Sequence, residues 1–92
     1  MFSSKIGTLT YKEVSGALID MGFTMQPKGP TGHEKWTRIN SQGKKLVVTV
    51  SKHLQPFARD LITAMAKQAG VNHRKFYAYC KGQLPLTDLE LT

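Results

Sequence analysis

EKWTRINSQGKKLVVTV, residues 34–50, holds two strand-forming runs on either side of a turn. Glu34 to Ile39 and Lys45 to Val50 are both rich in β-branched and aromatic residues, and Leu46-Val47-Val48-Thr49-Val50 is the most β-prone segment in the chain. Between them lies Asn40-Ser41-Gln42-Gly43, where an asparagine can bond backbone two residues on and a glycine can take positive φ. The stretch reads as an antiparallel hairpin, and its apolar second strand is expected at the centre of the sheet.

Toward the N-terminus, Thr10-Tyr11-Lys12-Glu13 matches the capping box, in which a threonine and a glutamate three positions on satisfy each other's free backbone N–H groups. Val14, Ala17, Leu18 and Met21 follow at helical spacing and Gly22 can stop the turn, so a helix is expected over 11–21. Phe23-Thr24-Met25-Gln26 alternates before Pro27 and reads as a short strand, and residues 29–32 form a loop. Toward the C-terminus, Pro56 suits a first helical turn, and Phe57, Leu61, Met65 and Ala69 recur every four residues up to Gly70, predicting a helix over 56–69. Asn72 can cap a further short helix carrying Phe76, Tyr77 and Cys80 and ended by Gly82, while residues 83–92 show no period and stay unassigned. The order α-β-β-β-α predicts an α+β fold: a three-stranded antiparallel sheet with two helices on one face, as in the double-stranded-RNA-binding domain. One domain over 1–92 is expected, with its core in about 10–71 and a C-terminal extension over 72–92. The other face of the sheet is left free.

The balance of charge suggests what that face meets. Thirteen Lys and Arg against six Asp and Glu leave a net +7. Residues 23–59 hold Lys28, Lys35, Arg38, Lys44, Lys45, Lys52 and Arg59 against Glu34 alone, which is all but one of those net charges. Such a patch binds phosphates in a salt-dependent, largely sequence-independent way. Nucleic acid is favoured over membrane, because no helix joins a broad apolar face to a basic one and no apolar run is long enough to span a bilayer. MFSSKIGTLT lacks the apolar stretch of a secretory signal, and a single cysteine, Cys80, suits a reducing cytoplasm.

Period-two alternation places His33, Lys35, Thr37 and Ile39 on one side of the first hairpin strand and Glu34, Trp36 and Arg38 on the other. A lone tryptophan in a small domain usually anchors the core, and an inward Trp36 turns His33 outward beside Lys35. Histidine suits RNA cleavage, because a neutral imidazole can take the proton of a ribose 2′-OH as the oxygen attacks the adjacent phosphorus. Lysines and the N–H groups of a glycine-containing loop then hold the charge that develops on phosphate. The candidate site is therefore His33 as general base, with Lys28, Gly29, Gly32, Lys35, Arg38 and Lys52 around the phosphates. No metal and no cofactor are assigned: His33, His53 and His73 lie twenty residues apart, without Cys-x-x-Cys or His-x-x-x-His spacing.

From Tyr11 to about Val71 the chain resembles the HicA-type toxins of bacterial toxin–antitoxin pairs. The features that carry the likeness are the helix ending in Met21-Gly22-Phe23, the glycine-containing loop into His33 with Trp36 three residues on, the β-run ending Val50-Ser51-Lys52-His53, and Ala66-Lys67-Gln68-Ala69-Gly70-Val71. The resemblance implies a metal-independent ribonuclease that cleaves mRNA, its catalytic histidine at His33, neutralised by a HicB-type antitoxin that covers the site. His53 corresponds to a second histidine often found in the family after the last strand, in position either to donate a proton or to line the start of the following helix. The chain departs from the family in having Gly32 where a serine commonly precedes the histidine, and in extending past Val71.

Two further readings use the same residues. A non-catalytic RNA-binding module would present the same basic face. A DNA-binding regulator would use the helix over 56–69, but its Arg59 and Lys67 are interrupted by Asp60 and make a poor recognition surface.

Overall fold

The computed structural model describes residues 6–27 and 32–92. Helix α1 (Tyr11–Asp20) starts at the predicted capping box: the Thr10 hydroxyl accepts from the Glu13 N–H and the Glu13 carboxylate accepts from the Thr10 N–H. Gly22, at φ 94°, ends it. Strands β1 (Thr24–Met25), β2 (His33–Ile39) and β3 (Lys45–Ser51) follow, then a 3-10 turn over Lys52–Leu54, helix α2 (Arg59–Ala69), helix α3 (His73–Cys80) and a second 3-10 turn over Leu86–Leu89. None of the described helices is long and apolar enough to cross a membrane.

The hairpin forms as read. Asn40 Oδ1 accepts from the N–H groups of Gln42 and Lys44, and Gly43 takes φ 79°, a backbone state that β-carbon-bearing residues avoid. The order in the sheet is β1-β2-β3, all antiparallel, so the strand expected at the centre is an edge. Two consecutive short connections make a meander, in which the middle strand of the chain is the middle strand of the sheet. The apolar character of β3 has another origin: Val48 and Val50 face the core, while Val47 is exposed on the other side.

The core lies between one face of the sheet and the helices. Trp36, Val48 and Val50 from the sheet meet Val14 and Leu18 of α1, Ile62, Met65 and Ala69 of α2, and Phe76 of α3. Helix α2 begins later than predicted, because Phe57 is still extended and exchanges backbone hydrogen bonds with Leu9 (3.1 and 2.7 Å). The core also reaches beyond 10–71. Leu9, Phe76 and Leu89 are fully or almost fully buried in it, so the C-terminal segment is a structural part of the domain. Asn72 caps α3 by accepting from the N–H groups of Arg74 and Lys75, as its position predicted.

Candidate nucleic-acid-cleaving site

The face of the sheet turned away from the helices carries the site. Register pairs His33 with Ser51 and Lys35 with Thr49 across β2 and β3, and directly opposed residues in an antiparallel pair share a face. Trp36 is 4 % exposed on the core side, and that fixes the parity of β2 and leaves His33 and Lys35 exposed. Three side-chain contacts then join the two strands. His33 Nδ1 lies 2.5 Å from Ser51 Oγ, Lys35 Nζ donates to Thr49 Oγ1 at 2.8 Å, and the ring of His53, just past β3, stands 5.7 Å from that of His33 at a tilt of 58°.

These contacts define what the imidazole can do. The contact is compatible with either tautomer; in the one whose Nδ1–H donates to Ser51 Oγ, the lone pair of Nε2 is on the opposite edge of the ring and can take a proton. Lys52, expected among the phosphate contacts, instead has its ammonium 4.8 Å from the centre of the Tyr11 ring of α1. Tyr11 in turn donates to the buried Glu34 carboxylate at 2.7 Å, and Trp36 Nε1 donates to the same oxygen at 3.1 Å. Burial, and after it the hydrogen bond to the Glu34 carboxylate, pushes the Tyr11 phenol up to about 12. Under the exposed face, therefore, an anchored network ties the start of α1 to the central strand.

Not every residue expected at the site belongs to it. Arg38 lies on the helix side of β2: its guanidinium stacks 5.5 Å from the centre of the Phe23 ring and donates to the Thr92 carbonyl at 2.8 Å. By parity an even-numbered residue of this strand shares the side of Trp36, and Arg38 is spent on closing the C-terminal segment. Lys28 and Gly29 lie outside the described residues. Gly32 is described and exposed, and a β-carbon built there meets nothing within 4 Å, so a serine at this position would fit sterically. Ser51 and Thr49 were not singled out from sequence, although counting outward from the Asn40–Lys44 turn puts them opposite His33 and Lys35. Among the described residues no three His, Cys, Asp or Glu side chains gather into one ligand set. Cys80 is far from this chemistry; burial, and then the Glu13 carboxylate, pushes its thiol up to about 12.

Compared with known protein families, with curated proteins and with solved structures, the chain matches none.

Proposed function

We propose that the protein is a metal-independent endoribonuclease of the HicA toxin type, acting on mRNA in the cytoplasm and neutralised by a HicB-type antitoxin that covers the exposed face of the sheet. The observation that carries this reading is the histidine pair: two exposed imidazoles 5.7 Å apart, one held by a serine from the neighbouring strand and flanked by Lys35. The α-β-β-β-α order, with one sheet face covered and the other basic, supports a double-stranded-RNA-binding-domain-like fold put to this use.

In the proposed reaction His33 Nε2 takes the proton of a ribose 2′-OH as that oxygen attacks the adjacent phosphorus. The bond from phosphorus to the 5′-oxygen breaks, and His53 acts as the acid that supplies the proton this oxygen needs. The products are a 2′,3′-cyclic phosphate and a free 5′-OH. Lys35, on the same face as His33, holds the charge that builds on the non-bridging oxygens. A positioned base of this kind contributes about 10²- to 10⁴-fold in rate.

The test is incubation of wild-type and His33→Ala protein with a long mRNA in EDTA, following RNA length, after circular dichroism has shown both folded. Cleavage by the wild type alone is expected. A fully active His33→Ala protein would sink the proposal. Salt-sensitive binding by both proteins without cleavage by either would replace it with a non-catalytic RNA-binding module on the same face.

A further inference from the structure

Past the histidine pair, the free edge of β3 and the side of α2 leave a groove of about 190 Å³. Leu54, Phe57, Leu61 and Met65 make its apolar walls, and Thr49, Ser51 and Gln68 its polar rim. Ser51 belongs to both places, since its hydroxyl holds His33 Nδ1, and Thr49 Oγ1 holds the Lys35 ammonium. A ligand on the exposed face that reaches over the β3 edge therefore enters this groove directly.

Gln68 gives the groove a fixed polar group. Its Oε1 accepts the outward N–H of Thr49 at 2.9 Å, which sets the plane of the amide and leaves both Nε2–H donors without a protein acceptor among the described residues. The same bond occupies the edge at Thr49, so an added β-strand could not pair there without displacing Gln68. Among the described residues no acidic side chain lines the groove, and Lys35, bonded to the lining residue Thr49, stands beside it. An enclosed apolar cavity of about 150 Å³ accepts benzene, so the space is of the size that one planar ring system fills. Leu54, 46 % exposed at the mouth, offers an apolar surface that a flat ring would cover.

We infer that this groove is a nucleobase subsite: it takes one unpaired base of a single-stranded RNA, with Gln68 Nε2 donating to an acceptor on the base edge and the flanking phosphate lying against His33 and Lys35. The inference rests on the reading that the basic face binds RNA. It makes the enzyme selective for unpaired segments, because a base enters the groove only when it is out of a duplex.

The test uses full-length protein and a fluorescein-labelled oligonucleotide carrying 2′-O-methyl groups throughout, which lacks the nucleophile and cannot be cut. One abasic position is moved along it, and affinity is read by fluorescence anisotropy. Stacked bases are typically worth about tenfold in affinity each, so one abasic position should weaken wild-type binding by about that factor. Ala64 lines the groove from an exposed position on α2, so Ala64→Trp fills the groove without entering the core. It should weaken the intact oligonucleotide by a similar factor and abolish the abasic penalty. Gln68→Glu keeps an acceptor for the Thr49 N–H but removes the donors, and should likewise erase the penalty. A flat abasic scan, or a penalty that survives in both variants, overturns the subsite. Unmodified RNA run in parallel separates the two readings. Cleavage through His33 with a flat scan leaves the nuclease standing without the subsite, whereas an intact pattern of penalties without cleavage supports the subsite and removes the nuclease.

Discussion

Tyr11→Phe removes a single oxygen, and the structure gives that oxygen a measurable role. Glu34 is the charged side chain that the described core buries, 4 % exposed, and among the described residues its Oε1 accepts from two side chains, the Tyr11 phenol at 2.7 Å and the Trp36 indole at 3.1 Å. A hydrogen bond to a charged group contributes about 1.5–3 kcal/mol. Tyr11 is half-buried, so water can replace part of what its hydroxyl supplies, and a loss of about 2 kcal/mol is expected. Against a total of roughly 5–10 kcal/mol for a domain of this size, that is a large fraction. Urea unfolding followed by the fluorescence of Trp36, the chain's only tryptophan, reads it directly: with a slope of about 1–1.5 kcal/mol/M, the midpoint should fall by about 1.5 M. The ring that Lys52 stacks on is unchanged in this variant, so the effect belongs to the hydroxyl. In a Glu34→Gln background the acceptor is neutral and Tyr11→Phe should cost only about 1 kcal/mol. A loss below about 0.5 kcal/mol, or equal losses in the two backgrounds, would refute the claim that a buried carboxylate anchors α1 to the central strand. The pH dependence has a definite sign. The folded phenol sits at about 12, above its ordinary 10, so its contribution is complete below pH 10 and is lost as pH rises from 10 toward 12. Tyr11→Phe should flatten that decline.

Two further outcomes follow from the same geometry. Ser51→Ala removes the group that holds His33 Nδ1 but no part of the proposed chemistry, so single-turnover cleavage should slow by about 2- to 12-fold, the equivalent of one ordinary hydrogen bond, far less than the loss from His33→Ala. Equal losses in the two variants would place Ser51 in the reaction itself. Cys80, its thiol pushed from 9.0 to about 12 chiefly by burial, has roughly a thousandfold less thiolate at pH 8; the greater nucleophilicity of a more basic thiolate recovers part, leaving alkylation by iodoacetamide about 40-fold slower than in the urea-unfolded chain. Mass spectrometry of the intact protein over time measures the ratio, and equal rates would show that the α1–α3 packing around Cys80 is open.

Local chemistry made much of this fold readable in advance. The Thr10–Glu13 capping box, the Asn40–Gly43 turn and the Asn72 cap each act within four residues, and each forms as its residue types require. Trp36 was also readable, because its size made burial the economical outcome, and period two then turned His33 outward. What escaped were matters settled by distant partners. The centre of the sheet went to β2 because connection lengths outweigh strand propensity. Arg38 looked like part of the basic patch, yet its fate depends on Phe23 and on Thr92 at the far end of the chain. Leu86 to Leu89 shows no period from which to infer that Leu89 completes the core.

The partners of His33 fall between these two classes. Once the turn closes with the Asn40 N–H on the Lys44 carbonyl, every later pair is fixed by counting, and seven residues out on each side the count brings His33 to Ser51. A slip of one residue would set His33 opposite Val50 or Lys52 instead and send one strand's exposed set into the core. Two buried anchors resist that slip from opposite strands: Trp36, bonded to Glu34 beneath β2, and Val48 with Val50 beneath β3. The turn and the core thus determine which hydroxyl meets the imidazole. Ser51 also begins the 3-10 turn that carries His53, so the register that supplies the first histidine with its hydroxyl also sets where the second one stands. The histidine pair is accordingly a consequence of strand register, held by side chains on the opposite face of the sheet.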